Sequence, residues 1–282
     1  REQAARRRIF GEGGPTKGQL AAWYEAVAPL LLEELRDRPL SLVRCPQGIA
    51  NRCFFQKHVK EGWGDELVQH AIANASGEED TVVTVRDAAG LLRCVQMGTI
   101  EFHGWGARAN RIERPDRLVF DLDPAPDVDF AAVVDSARLV RDRLADMGLA
   151  TAVMTTGGKG LHVVARLNAS ARWDKVEDFA HRFALALERM EPDRFTAALS
   201  KARRKGRIFV DWLRNQRGST AVMPWSVRAR AGAPVAVPLA WEELAGMEAA
   251  NRYALSDPGE VLARARDADP GWAGPAQPLP DA

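Results

Sequence analysis

Leu118-Val119-Phe120-Asp121-Leu122-Asp123-Pro124 and Ile208-Phe209-Val210-Asp211-Trp212 each run from apolar residues into carboxylates. An apolar run without alternation predicts a strand buried on both faces. Successive strand side chains point to opposite faces, so Asp121 and Asp123 share one face, roughly 6.5–7 Å apart along the strand. A third carboxylate, Asp211, closing on that pair makes an all-oxygen cage suited to Mg²⁺ or Mn²⁺. Such cages serve phosphoryl transfer, where two ions clamp the attacking and leaving oxygens. An Asp-x-Asp before proline is also an ordinary turn signal, so the surrounding motifs must decide between the two readings.

Downstream of the first carboxylate pair, Asp129 to Met147 reads as an amphipathic helix stopped by Gly148. Ala150–Met154 and Leu161–Leu167 read as strands around Thr155-Thr156-Gly157-Gly158-Lys159-Gly160. Three glycines let the backbone approach a ligand, and consecutive N–H groups form an anion nest. Lys159 adds charge and Thr156 a hydroxyl. The Walker A pattern is absent, and a plain glycine hairpin has the same local look. The position one helix after Asp123 favours phosphate. Trp173–Met190 reads as a helix, and Arg207–Trp212 as the strand that carries Asp211.

Upstream, Thr16 is placed to cap a helix from Lys17 to about Arg36. Leu40–Cys45 reads as a strand, followed by a turn at Pro46-Gln47-Gly48 and then by Phe54-Phe55-Gln56-Lys57-His58. Phe54 and Phe55 suit either a core or a base-stacking platform, with Arg52 and Lys57 flanking them. Thr81–Arg86 and Leu91–Val95 are expected to pair as a hairpin about Asp87-Ala88-Ala89-Gly90. Thr99–Trp105, which holds His103, reads as a strand or a loop entry. Short helices are expected at 241–247 and 258–264, and a flexible tail over 266–282. The pattern predicts one α+β domain over 1–282, with a central, mostly antiparallel sheet flanked by helices.

Composition is that of a globular chain of 282 residues, with 46% apolar and 27% charged residues and a net charge of +1. No apolar stretch reaches the length of about 18 residues that spans a bilayer. Arg1-Glu2-Gln3, without Met or an apolar leader, reads as a piece of a longer chain or a processed start. Charge is unevenly spread. Lys201, Arg203, Arg204, Lys205, Arg207, Arg214, Arg217, Arg228 and Arg230 fall in a stretch whose only acid is Asp211, a pattern that suits a polyanion site. Cys45, Cys53 and Cys94, odd in number and without Cys-x-x-Cys spacing, are expected to be packed thiols of a reducing compartment.

The ordered strings Ser41–Pro46, Phe54–His58, Ile100-Glu101-Phe102-His103-Gly104-Trp105, Asp121–Pro124, Gly157–His162 and Val210-Asp211-Trp212-Leu213-Arg214-Asn215 span nearly the whole chain. The chain resembles, on these strings, the polymerase domain of bacterial ATP-dependent DNA ligase D, within the archaeo-eukaryotic primase superfamily. Thr156 stands where that family usually has Ser, and Trp212 where it more often has Tyr. The resemblance implies a template-guided nucleotidyltransferase of bacterial non-homologous end joining, acting in the cytoplasm at the nucleoid. It implies two Mn²⁺ or Mg²⁺ ions on Asp121, Asp123 and Asp211, with His103 serving the same site. Arg44, Thr156, Lys159, His162, Arg214 and Arg228 would face the nucleoside triphosphate, with ribonucleotides preferred over deoxynucleotides. Phe54, Phe55 and Lys57 would meet DNA, and Arg8 and Lys17 the 5′-phosphate across a gap. Implied partners are DNA ends, gapped DNA, the Ku protein, and the ligase and phosphoesterase domains of a parent chain, with no membrane. The rival readings are an Asp-x-Asp glycosyltransferase, which needs no DNA stripe, and a non-catalytic primase-like module, which would not need intact carboxylates.

Overall fold

The computed structural model describes residues 2–281; Arg1 and Ala282 lie outside the described residues. The elements run α1 (Glu2–Ala5), α2 (Lys17–Leu35), β1 (Leu40–Arg44), β2 (Phe54–Gln56), β3 (Leu67–Ala73), β4 (Glu79–Val85), α3 (Ala88–Gln96) and β5 (Thr99–Trp105). Then follow β6 (Arg117–Pro124), α4 (Phe130–Asp146), β7 (Ala152–Thr155), β8 (Leu161–Arg166), α5 (Trp173–Met190) and β9 (Phe195–Thr196). β10 (Ile208–Asp211), β11 (Thr220–Val222), β12 (Pro238–Leu239) and α6 (Pro258–Arg266) complete the chain.

Strand pairing makes two main sheets where one was expected. Six strands align as β12-β7-β8-β6-β10-β9 and four as β11-β5-β1-β2, while β3 and β4 form a separate ribbon. Every pairing is antiparallel except β9 with β10. Alternation along β6 sends Leu118, Phe120 and Leu122 to one face, where Phe120 meets Phe183 of α5 with ring centroids 4.9 Å apart. Val119, Asp121 and Asp123 point the other way. On β5, Phe102 packs edge-on against Tyr24 of α2 at 4.9 Å, while Glu101 and His103 lie on the opposite face. Val119, Met154 and Val164 of the larger sheet cluster with Ala221 and Val222 of the smaller one. The order is therefore helix, sheet, sheet, helix, and polar residues on the two inner faces look at each other.

Several local expectations give way. Leu91–Val95 is helical. Asp87 accepts a hydrogen bond from Gly90 N at 3.0 Å and caps α3, and Leu91, Cys94 and Val95 bury a face with helical spacing. Gly90 serves close packing rather than a turn, since a Cβ there would lie 2.9 Å from Glu66 O. The partner of β4 is β3. Cys45 and Cys53 are not separate thiols: they form a disulfide across the end of the β1–β2 hairpin, leaving Cys94 as the buried thiol. Strand pairing brings them together, which sequence spacing alone does not reveal.

Residues after α6 run back along the large sheet. Gln277 O accepts from Asn168 N at 2.7 Å, Gln277 N donates to Arg166 O at 3.1 Å, and its side chain meets Ala150 N at 2.7 Å. Among the described residues, no helix is long and apolar enough to cross a membrane.

Candidate active site between two sheets

Register assembles the first wall. Asp121 of β6 stands opposite Asp211 of β10 on one side and His162 of β8 on the other. Directly opposed residues share a face, so His162, Asp121 and Asp211 form a row across three strands, with Asp123 two positions along. Asn215 fixes the turn beyond Asp211. Its Oδ1 accepts from Val119 N at 2.8 Å, and its Nδ2 donates to Val119 O at 2.7 Å and to Trp212 O at 2.9 Å. The side chain thus continues the ladder where β10 ends, which holds Asp211 and Arg214 in place.

The carboxylates meet cations of the protein itself. Arg214 Nε is 3.0 Å from Asp211 Oδ2 and 3.7 Å from Asp121 Oδ2, and Arg204 donates to Asp123 Oδ2 at 3.2 Å. His162 Nε2 lies 3.5 Å from Asp121 Oδ1. Burial, and then the charge of Asp121, pushes the Asp123 pKa above the usual carboxylate range. Burial also raises that of Asp211, with Asp121 adding to the rise against Arg214. For Asp121, burial opposes ionisation, but His162, Arg214 and Arg228 outweigh it and hold the pKa low. Carboxylates that repel one another on one face offer a hard, all-oxygen donor set that fits Mg²⁺ or Mn²⁺. The set is not closed: among the described residues, no three His, Cys, Asp or Glu side chains stand at metal-holding distances. Arg204 and Arg214 occupy the carboxylate oxygens instead.

The glycine turn between β7 and β8 borders this wall. Thr156 Oγ1 accepts from Gly158 N at 3.2 Å and donates to Gly160 O at 3.0 Å, which ties the turn across itself. Gly157 sits at φ +71°, and a Cβ on Gly160 would lie 2.2 Å from Leu122 O, between the two aspartates of β6. Lys159 is exposed at the tip.

The second wall comes from the smaller sheet and the segment after β11. Glu101 Oε2 accepts from His103 Nε2 at 2.7 Å, and its Oε1 lies 3.2 Å from Arg228 Nε and accepts from Ala229 N at 2.8 Å. Arg228 also donates to Thr156 O. Burial works against the Glu101 charge, but His103, Arg228 and the Ala229 N–H overcome it and hold the pKa at about 2. Burial lowers the His103 pKa against the pull of Glu101. Between the walls lies a cleft of about 420 Å³ lined by His103, Asp121, Asp123, Lys159, His162 and Arg214, among others.

The remaining expected site residues are placed differently. Phe55 is 63% exposed at the lip of the cleft, its ring edge-on to His103 at 5.6 Å. Phe54, on the other face of β2, lies 5.3 Å from the Arg44 guanidinium. Arg44 does not line the cleft, contrary to the expectation that it faces the nucleotide. Alternation along β1 turns it away, and it donates to Gln56 Oε1 at 2.6 Å and to Met97 O. It lies instead near Lys17, whose Nζ donates to Gln96 O at 2.6 Å. Burial, then Arg7, then Arg44 lower the Lys17 pKa. Arg8 donates to Gly14 O at 3.3 Å, and Arg7 is a second cation acting on Lys17. Lys57 is exposed.

The basic stripe divides. Arg204, Arg214 and Arg228 turn inward to carboxylates, and Arg217 holds Glu113 at 2.7 Å and Ala73 O at 2.6 Å. Lys201, Arg203 and Lys205 are exposed and form no ion pair among the described residues. Sequence reasoning assigned no role to Glu101 or Asn215, and gave Arg204 only a place in the basic stripe. The alternation of Glu101 with His103 was the available signal for the first.

Residues 16–270 match the family model described as "LigD, primase-polymerase domain". The chain is 42% identical over 258 residues to the "Multifunctional non-homologous end joining protein LigD" of Pseudomonas aeruginosa, covering 92% of this chain and 30% of that protein. It is 34% identical over 270 residues to the LigD of Mycobacterium tuberculosis, covering 93% of this chain and 35% of that protein. The chain thus spans about a third of the length of these curated relatives. Among solved structures, it is similar to "Polymerase Domain from Mycobacterium tuberculosis Ligase D in complex with DNA", with a TM-score of 0.85, 32% identity and 94% of each chain covered.

Proposed function

The chain belongs to the LigD primase-polymerase family, and we propose that it is a metal-dependent nucleotidyltransferase that fills gaps and extends DNA ends in non-homologous end joining. The observation that carries the reading is the row of Asp121, Asp211 and His162 beside the Thr156–Gly160 turn, with His103 and Arg228 across one cleft. Asp121, Asp123 and Asp211 would hold two divalent ions, which when bound neutralise the triphosphate and acidify the attacking 3′-hydroxyl. Arg204 and Arg214 then release carboxylate oxygens that they now occupy. Lys159, Arg214 and Arg228 offer positive charge to phosphate oxygens, and the glycine turn offers backbone N–H groups. Lys201, Arg203 and Lys205 supply exposed charge for a nucleic-acid backbone. Ribonucleotide preference, Ku and the partner domains of a parent chain belong to the same proposal. Primer extension on a gapped, 5′-phosphorylated duplex tests it, with Mn²⁺ against Mg²⁺ and ribo- against deoxynucleotides. Absence of template-directed addition under every condition rejects the activity.

Phe55 is the stronger candidate for a stacking platform, being the more exposed of the pair and beside the cleft. Phe55→Ala is expected to cost roughly 1–3 kcal/mol of DNA affinity at little cost in thermal stability. Anisotropy titration with a primer-template checks this, and unchanged affinity in the folded variant removes Phe55 from the DNA surface.

Arg7, Lys17 and Arg44 converge at the start of α2, where the helix dipole also favours an anion. Lys17→Ala is expected to weaken binding to a gap ending in 5′-phosphate by about 1–2 kcal/mol and to leave the 5′-hydroxyl gap nearly unaffected. Equal weakening on both gaps makes Lys17 a general backbone contact.

A further inference from the structure

Glu101 is a buried carboxylate, 6% exposed, to which neither the motif nor the metal chemistry gives a task. Its two oxygens meet His103 Nε2, Ala229 N and Arg228 Nε, three groups from two different segments. An ionised carboxylate is an acceptor only. The His103 nitrogen facing it must therefore carry the proton. A neutral imidazole with a proton on Nε2 has a lone pair on Nδ1, and Nδ1 has no hydrogen-bond partner among the described residues, on a ring that lines the cleft.

We propose that Glu101 is a positioning residue that locks His103 in the Nε2–H tautomer, so that Nδ1 accepts a hydrogen bond from a sugar hydroxyl of the bound nucleotide, while the same carboxylate steadies Arg228 against the glycine turn. The inference rests on the nucleotidyltransferase reading of this cleft. Three arguments support it. Arg228 and the Ala229 N–H keep Glu101 an acceptor whatever the ring does. Burial, with Arg228 and Arg214 nearby, disfavours a charged imidazole. A phosphate oxygen offers no proton to Nδ1, whereas a ribose hydroxyl does. The cleft thereby separates two kinds of recognition: cations and N–H groups for the triphosphate, one imidazole acceptor for the sugar. Arg228, which donates to Thr156 O, couples the two through Glu101.

The chain has five histidines, so side-chain ¹⁵N spectra can resolve the ring of His103. The wild-type protein is expected to show His103 as neutral Nε2–H at neutral pH. A protonated ring or the Nδ1–H form overturns the proposal without any variant. Equilibrium binding of ATP, 2′-deoxy-ATP and 3′-deoxy-ATP is then compared in the wild type and in Glu101→Gln, with Mn²⁺ present and no primer. Loss of one hydroxyl is expected to weaken wild-type binding roughly 10-fold. In Glu101→Gln that difference should shrink toward none and the His103 signals should shift. A variant that keeps the full discrimination overturns the proposal. Failure of the wild type to bind any triphosphate instead defeats the polymerase reading, so the two failures are distinguishable.

Discussion

Asp121→Ala, Asp123→Ala and Asp211→Ala are each expected to lower template-directed extension roughly 10³-fold or more. Each carboxylate is one of three on a single face, and two strands present them in fixed register. An ion held by two of three ligands is both weaker and differently aimed, so the losses should be severe for every member. Stability should separate the three. Asp123 and Asp211 have raised pKa values, so their ionised forms are disfavoured by the fold, and removing either should not lower the melting temperature. Asp121 has a lowered pKa, held there by His162 and Arg214, so its removal should cost some stability at neutral pH. Primer extension paired with thermal melting reads both effects. Robust extension by any one variant would remove that residue from the metal set.

Gly160→Ala is expected to destabilise the protein by about 2–4 kcal/mol and to abolish extension together with nucleotide binding. The added Cβ would lie 2.2 Å from Leu122 O. That carbonyl belongs to the strand between Asp121 and Asp123, so the clash cannot be relieved by rotating a side chain. Gly158→Ala is the control, two residues away in the same turn. Its nearest neighbours are the guanidinium atoms of the flexible Arg230 side chain, at 3.4 Å, and its stability cost should stay within about 0.5 kcal/mol. Chemical denaturation of both variants checks the contrast. Equal stability of the two would mean that the turn yields where the geometry says it cannot.

The carboxylate face was legible because alternation in a strand is a local rule, and Asp121-x-Asp123 obeys it. The helices of Trp173–Met190 and Lys17–Leu35 were legible from periodicity and, for the latter, the Thr16 cap. Long-range register was not. Nothing local says that Asp211 faces Asp121, that Cys45 meets Cys53, or that Arg44 turns from the cleft toward Lys17. The Leu91–Val95 error has a specific source: Asp87 followed by Gly90 serves a helix cap as well as it serves a hairpin, and the choice lay in the spacing of Leu91, Cys94 and Val95. The basic stripe misled in the same way. Composition could not say that Arg217 is committed to Glu113, or that Arg204 and Arg214 face the aspartates.

Asp121, Asp123, Asp211 and Glu101 carry the negative charge around the cleft, and Lys159, Arg204, Arg214, Arg228 and Arg230 the positive. The two nearly cancel, so the side chains around the pocket are together close to electroneutral. A triphosphate arriving alone upsets that balance in one direction, and divalent cations arriving alone upset it in the other. Arriving together, they leave it almost unchanged. Mutual dependence of cation and nucleotide affinity is the thermodynamic consequence, and by linkage each must tighten the other by the same factor.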